Sequence, residues 1–268
     1  MRRSAERERA QTVNVLITGA SSGIGEAVAI ECAKRGDTLF LCGRNPERTG
    51  KVASACKAAG AKEVYAETVD VSDGEAMRKW LGKCDSLAPL ERIFANAGIG
   101  TGTESEENVR RTFSVNVNGC LNTVLPAIEL FRARRKVDSD SKMQILITAS
   151  IAGYSPLASC PSYSATKSCM KTWALAMRGM LKKENISVSA ICPGFVRSRI
   201  TDCNTCPMPF FMEADKAAKI ILDGADRNVG LIAFPWQMRF GVWLLSVLPF
   251  RVNEFVNRFI PAKVGERK

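Results

Sequence analysis

The chain of 268 residues contains no histidine. That absence excludes Ser-His and Cys-His nucleophilic devices and any metal site built on imidazole, so proton chemistry must fall to other side chains. A dense cysteine framework is also missing. Ten cysteines are scattered through apolar and mixed segments, which suits reduced thiols in a cytosolic setting rather than a small disulfide-stapled domain. The single CxxC, Cys203 to Cys206, stands in a loop-like stretch with no second ligand pair, so neither redox nor zinc chemistry is assigned to it and no metal is expected. Residues 1–11 alternate Arg and Glu without an apolar run, which argues against a secretory or mitochondrial leader and reads as a solvated arm.

No apolar stretch is long enough to span a bilayer, because Arg239, Gly241 and Pro249 interrupt the longest. The formal charge is +11, yet Lys and Arg are spread along the chain with one tight cluster, Arg132 to Lys136, at the expected end of a helix. No aromatic residues interleave with that cluster, so nucleic acid is not expected as a partner. An anionic cofactor is the more economical target for some of the positive charge.

What is present is an alternating rhythm. Short apolar, β-branched runs at 13–18, 38–42, 63–69, 92–95, 144–148, 187–191 and 231–234 are separated by helical stretches, among them 108–134, 164–183 and 213–227. The pattern predicts an α/β fold: a doubly wound, seven-stranded parallel sheet with helices on both faces, in one domain over 1–268. Ligands of such sheets bind at the carboxyl ends of the strands, near the switch in strand order. Residues 198–212, with two prolines and Phe210-Phe211, read as a substrate loop or lid, and 235–268 as a hydrophobic C-terminal extension.

Three motifs sit just beyond strands. The first strand runs into Thr18-Gly19-Ala20-Ser21-Ser22-Gly23-Ile24-Gly25 and then an apolar helix. Glycines there let backbone amides and the positive helix end approach a pyrophosphate. Cys42-Gly43-Arg44 follows the second strand, where an NAD-binding domain offers an acid to the adenosine ribose; with Gly43 leaving room and Arg44 able to grip a 2′-phosphate, NADP is favoured over NAD. Tyr163 and Lys167, four apart on one helix face, would let the ammonium favour the phenolate and lower a pKa that is ordinarily ~10.

Together these motifs resemble the compact TGxxxGxG/YxxxK branch of the short-chain dehydrogenase/reductase family, over about 13–234. The resemblance implies a Rossmann-like domain and carries further roles. Asp70-Val71 match the family's adenine contact and Asn96-Ala97-Gly98 its turn after the fourth strand. Asn116 matches the active-site Asn, and Ser150, thirteen residues before Tyr163, matches the catalytic Ser. Pro193-Gly194 and Val196 match the turn that meets the nicotinamide, and Ser198 replaces a Thr that contacts the cofactor; Ala95 stands where an Asn is common.

The implied chemistry is NADPH-dependent reduction of a carbonyl, with Ser150 and Tyr163 holding the oxygen and Tyr163 donating the proton. Lys167 would also bind the nicotinamide ribose, and Asn116 would fix a water that reconnects Lys167 to solvent. Phe195, Ile200, Met208, Phe210, Phe211 and Met212 suggest a hydrophobic ketone or aldehyde, in a cytoplasmic homodimer or homotetramer. Two alternatives remain: a membrane-associated reductase of keto-sphingoid or steroid-like lipids, and a non-catalytic NADP-binding sensor or scaffold. The C-terminal extension has three readings: a helix over the pocket, a subunit interface, or a peripheral membrane contact with Arg239, Arg251 and Arg258 near headgroups. Burial within the protein or its oligomer is favoured.

Overall fold

The computed structural model describes residues 12–138, 141–202 and 207–259. The charged arm at 1–11 and the Cys203 to Cys206 pair lie outside these residues. Seven strands form one sheet: β1 (Asn14–Thr18), β2 (Thr38–Gly43), β3 (Glu63–Thr68), β4 (Arg92–Ala95), β5 (Met143–Thr148), β6 (Ile186–Pro193) and β7 (Leu231–Phe234). Their order is β3-β2-β1-β4-β5-β6-β7, and every pairing is parallel. The chain winds outward one way from β1 and the other way from β4, so a crevice opens at the carboxyl ends of these two neighbours.

Helices cover both faces: α1 (Gly23–Lys34), α2 (Pro46–Ala59), α3 (Gly74–Leu87), α4 (Glu106–Phe113), α5 (Gly119–Arg135), α6 (Pro161–Leu181) and α7 (Ala214–Asp226). Two more, α8 (Trp236–Val247) and α9 (Phe250–Asn257), follow the last strand. Because successive strand side chains point to opposite faces, β1 divides itself between two cores. Val15 and Ile17 join Val28, Val52 and Ile221 under α1, α2 and α7. Leu16 joins Met77, Leu81, Phe131 and Met177 under α3, α5 and α6. Strands β2 and β5 are buried at every position, which explains why they read as continuous apolar runs rather than alternating ones. Truncating a fully buried side chain such as Leu16 or Phe131 to Ala costs about 2–5 kcal/mol at a site packed this way.

The helical stretch expected over 108–134 is present and unbroken from Glu106 to Arg135, but it is not α-helical throughout. A π-helical turn, Ser114–Asn118, separates α4 from α5, and such turns gather at functional positions. Helix α6 begins earlier than its apolar pattern suggested, at Pro161, a residue suited to the first helical position because its missing N–H would be unpartnered there anyway. The described residues between β6 and α7 form no regular helix or strand, as expected, and a parallel bridge joins Val196 to Met212.

Candidate active site

The turn after β1 is built on glycine. Gly19 and Gly23 have φ of 64° and 60°, where side chains with a Cβ are strained. A Cβ at Gly19 would lie 2.7 Å from the Ala97 Cα, and one at Gly23 would lie 2.8 Å from the Ser198 Cβ. Gly25 lets α1 approach the turn, since a Cβ there would come within 2.3 Å of the Gly19 carbonyl oxygen. Ser21 lies against Gly43, and Ile24 packs on the core under α1. The ends of β1, β2, β4 and β6 thereby converge. The N-caps of α2, α3 and α4, namely Asn45, Asp73 and Ser105, each accept a backbone N–H, whereas Ser22 at the start of α1 makes no such side-chain bond. The first-turn amides of α1 are thus not taken by a side-chain cap, an arrangement that fits a phosphate-bearing cofactor.

Asn96 staples the strand ends. Its Nδ2 donates to the carbonyls of Thr18 and Gly19 at 3.2 and 3.3 Å, and its Oδ1 accepts from the Thr148 hydroxyl at 3.2 Å. The Thr18 hydroxyl accepts from the backbone N–H of Asn96 and Ala97. At the far side of the crevice Arg44 is exposed, close enough to Asp70 to act on its acidity. Burial pulls the Asp70 carboxyl up, but hydrogen bonds from Ser72 and the charges of Arg44 and Arg111 outweigh it and leave it below its ordinary value. Asp70 Oδ1 accepts from both the Ser72 amide, at 2.9 Å, and the Ser72 hydroxyl, at 2.7 Å. Val71 packs against Gly119, and its carbonyl accepts from Asn122 at 2.9 Å.

Of the four residues expected to carry chemistry, Asn116 and Lys167 meet at Gly98, and Lys167 leads on to Tyr163 and Ser150. A Cβ on Gly98 would lie 3.3 Å from both Asn116 Oδ1 and Lys167 Nζ, and Gly98 directly follows Ala97, the residue that touches the glycine turn. Asn116 is fully buried in the π-helical turn. Its Oδ1 accepts from the Ile99 amide at 2.8 Å, while its Nδ2 donates to the Ile99 carbonyl and the Thr166 hydroxyl, each at 3.1 Å. The amide therefore brackets the turn after β4 onto α6. Ser150 follows β5; its hydroxyl accepts from the Ala152 amide at 3.1 Å, reaches the Pro193 carbonyl at 3.4 Å and hydrogen-bonds Tyr163. Lys167 Nζ donates to the Thr148 carbonyl at 2.8 Å and lies 5.7 Å from the centre of the Tyr163 ring.

The electrostatics differ from the sequence expectation. Tyr163 is not made acidic. Burial pushes its phenol up to about 12, against the opposing pull of the Ser150 hydrogen bond and with a further push from Cys160. Burial also drags Lys167 down to about 8, opposed by the Cys120 and Cys192 thiols. Burial is the first cause of both shifts, and loss of water disfavours the phenolate and the ammonium alike.

Beyond β6, the Gly194 amide donates to the Phe234 carbonyl at 2.8 Å. A Cβ on Gly194 would meet Pro235 at 2.9 Å and Met238 at 3.0 Å. The turn from Val196 to Thr201 is knotted by the Thr201 hydroxyl, which donates to the Val196 carbonyl and accepts from the Ser198 amide. This presses Ser198 onto Gly23.

Sequence reading passed over several supporting groups. Arg48 lies four residues beyond Arg44, and its Nε is buried without a hydrogen-bond partner; the Arg-x-x-x-Arg spacing into α2 was its available signal. Thr148 and Thr166 act through a carbonyl and a hydroxyl that no motif marks. Glu104 reaches from the loop after β4 to accept from the Ser162 amide at 3.1 Å and from the Ser162 hydroxyl, capping α6 next to Tyr163 where no local side chain does.

Comparison with known proteins agrees with this architecture. Residues 13–205 match the family model described as short chain dehydrogenase. An uncharacterized oxidoreductase of Myxococcus xanthus is 32% identical over 239 residues, covering 87% of this chain and 92% of its own. Among solved structures, a short-chain dehydrogenase/reductase from Burkholderia phymatum in complex with NAD aligns with a TM-score of 0.80 at 21% identity, over 96% of this chain and 99% of that one. A short-chain dehydrogenase from Sphingobium yanoikuyae in complex with NADPH aligns with a TM-score of 0.76 at 22% identity, over 96% and 100%. A chain whose glycine turn, doubly wound sheet and Ser-Tyr-Lys cluster meet at one crevice, and whose sequence matches the family model over most of its length, belongs to the short-chain dehydrogenase/reductase family of oxidoreductases.

Proposed function

We propose that this protein reduces the carbonyl group of a hydrophobic small molecule to an alcohol with NADPH. The observation that carries the reading is a chain of contacts: Ser150 hydrogen-bonds Tyr163, Lys167 Nζ lies 5.7 Å from the Tyr163 ring, and the same Nζ lies 3.3 Å from where a Gly98 Cβ would sit, one residue from the glycine turn. The nicotinamide would supply the hydride to the carbonyl carbon. Ser150 and Tyr163 hold the carbonyl oxygen, and Tyr163 gives it a proton. A phenol near 12 is protonated at neutral pH, which is the form that donation requires. Lys167, near 8, is mostly charged at pH 7, so it can hold ribose hydroxyls and hand a proton toward Tyr163. Asn116 acts by position: with both amide atoms engaged, it fixes the turn that sets Gly98 against Lys167.

Preference for the 2′-phosphate is supported by Arg44 and by the unpartnered Nε of Arg48, together with the lack of an acid at Gly43. An apolar substrate is supported by Ile200, which lies 3.5 Å from where a Gly100 Cβ would sit, and by Phe210 and Phe211, which keep exposed rings on the neighbouring loop. The test is NADPH oxidation against a panel of ketones and aldehydes, with NADH as control. Hydrophobic carbonyls should turn over with NADPH, and Tyr163→Phe should lose about 10²–10⁴-fold in kcat while still binding NADPH. Substantial activity in that variant would overturn the assignment.

A further inference from the structure

A surface helix ordinarily carries one apolar stripe; α8 carries two. Met238 and Val242 pack inward on the core. On its other side Phe240, Trp243, Leu244 and Val247 remain 56%, 49%, 42% and 59% exposed, and no residue of α8 is buried. Helix α9 adds Phe255 and Phe259, whose rings meet edge-on at 5.2 Å yet stay 58% and 71% exposed. Of the favoured expectation, burial within the protein or its oligomer, the single chain supplies none for this outer face.

The hairpin is not a loose end. Asn253, buried, donates from Nδ2 to the Leu245 carbonyl at 3.2 Å and to the Ser155 hydroxyl. Asn257 donates to the Pro156 carbonyl at 3.0 Å and accepts from the Ala158 amide at 3.1 Å. These bonds fasten α9 to the loop between Ser150 and Tyr163, while α8 rests on Gly194. The apolar face thus stands on a fixed base next to the substrate side of the site.

Charge selects the occupant. Residues 236–259 contain Arg239, Arg251 and Arg258, all exposed, against one acid, Glu254. A symmetric pairing of two copies through this face would set a patch of net positive charge against an identical one. An anionic bilayer instead offers phosphates to the guanidinium groups and a headgroup zone to the aromatic rings. Among the described residues no helix is long and apolar enough to cross a membrane, so the contact lies in the plane of the surface.

We propose that α8 and α9 form a docking surface for anionic phospholipid membranes. Docking does not rest on the carbonyl-reductase reading, and it is measured without turnover. Failure of docking would leave that reading standing, and failure of that reading would leave docking standing. The intact protein is sedimented with vesicles of phosphatidylcholine alone and of phosphatidylcholine mixed with phosphatidylglycerol. Binding to the mixed vesicles, weakened by salt, is expected. Phe240→Ser with Trp243→Ser should lower it at least about tenfold, and Arg251→Glu with Arg258→Glu should erase the preference for anionic lipid. All four positions are exposed, and thermal melts of the variants verify folding. A protein left in the supernatant with both vesicle types at low salt would overturn the proposal. So would vesicle binding indifferent to both double variants. A dimer that Phe240→Ser with Trp243→Ser splits, without vesicle binding by the parent, would assign the face to a second copy instead.

Discussion

Replacing Lys167 with Met should make the protein more stable at neutral pH while removing its chemistry. Lys167 is 3% exposed, and its Nζ donates to the Thr148 carbonyl. Burial takes its pKa from 10.5 to about 8. Below pH 8 the ammonium is charged in the folded and unfolded chain alike, so the whole penalty of burying it is present. Between pH 8 and 10.5 the folded chain gives up the proton first, and the penalty fades as pH rises. At ~1.36 kcal/mol per pH unit it amounts to roughly 3 kcal/mol at pH 7 and roughly 1.5 kcal/mol at pH 9.5. Methionine keeps the length of the stem but leaves the Thr148 carbonyl without its donor, which costs about 1–2 kcal/mol. The expected balance is a gain of ~1–2 kcal/mol at pH 7 that vanishes near pH 9.5. Urea denaturation of both chains at both pH values measures it. Buried thiols and Tyr163 also lose ground in alkali, since their folded pKa values are raised, but both chains share them and the difference cancels. A variant less stable than the parent at pH 7, or a difference that ignores pH, would refute the claim that desolvation dominates at Lys167.

Three further outcomes follow from the same geometry. Arg44→Ala combined with Arg48→Ala should raise KM for NADPH roughly 10–100-fold, the loss of charge-assisted bonds to one phosphate, and leave KM for NADH within about twofold; parallel steady-state kinetics compare them, and equal losses for both cofactors would remove the 2′-phosphate role. Gly23→Ala strains a residue at φ 60° and pushes a methyl to 2.8 Å from the Ser198 Cβ. It should cost about 1–3 kcal/mol and abolish the thermal upshift that NADPH gives the parent, and an unchanged upshift would argue against the turn as the pyrophosphate site. The kcat/KM for carbonyl reduction should fall on the alkaline side with an apparent pKa near 8, as Lys167 loses its proton, with no limb from Tyr163 below pH 10; a profile still rising at pH 9 would detach Lys167 from the rate.

The parallel sheet was legible because its inner strands are buried on both faces. In β2 and β5 no position faces water, so Leu39 to Cys42 and Ile145 to Ile147 could be nothing but apolar. Gly19, Gly23 and Gly25 were legible for a related reason. Each occupies a place where backbone, Ala97 or Ser198 leaves no room for a methyl, and only one amino acid satisfies that demand. Spacing served well where a helix carries it, as with Tyr163 and Lys167. It found the helix over 108–134 but not the π-helical turn within it, where Asn116 reaches the backbone of Ile99, a contact seventeen residues away in the chain.

The acidity of Tyr163 was read wrongly for a physical reason that also explains the rest. A spacing of four places an ammonium near a phenol, but the sign of the resulting shift depends on how much water each group keeps, and burial is set by elements far apart in sequence: β5 through Thr148, α5 through Cys120, β6 through Cys192. With Tyr163 pushed up and Lys167 pulled down, the site stores its proton on the phenol. That state is ready to give a proton to a carbonyl oxygen and must be altered before it can take one from an alcohol. Oxidation begins from a nicotinamide that is itself cationic, and a positive charge entering this desolvated space would favour the phenolate. The direction of proton flow at Tyr163 is thus coupled to the charge on the cofactor rather than fixed by Lys167 alone. Measuring the Tyr163 pKa by the ultraviolet absorbance of phenolate, with Tyr163→Phe as the blank, should therefore give a lower value with NADP+ bound than with NADPH; equal values in the two complexes would show that Lys167 alone governs it.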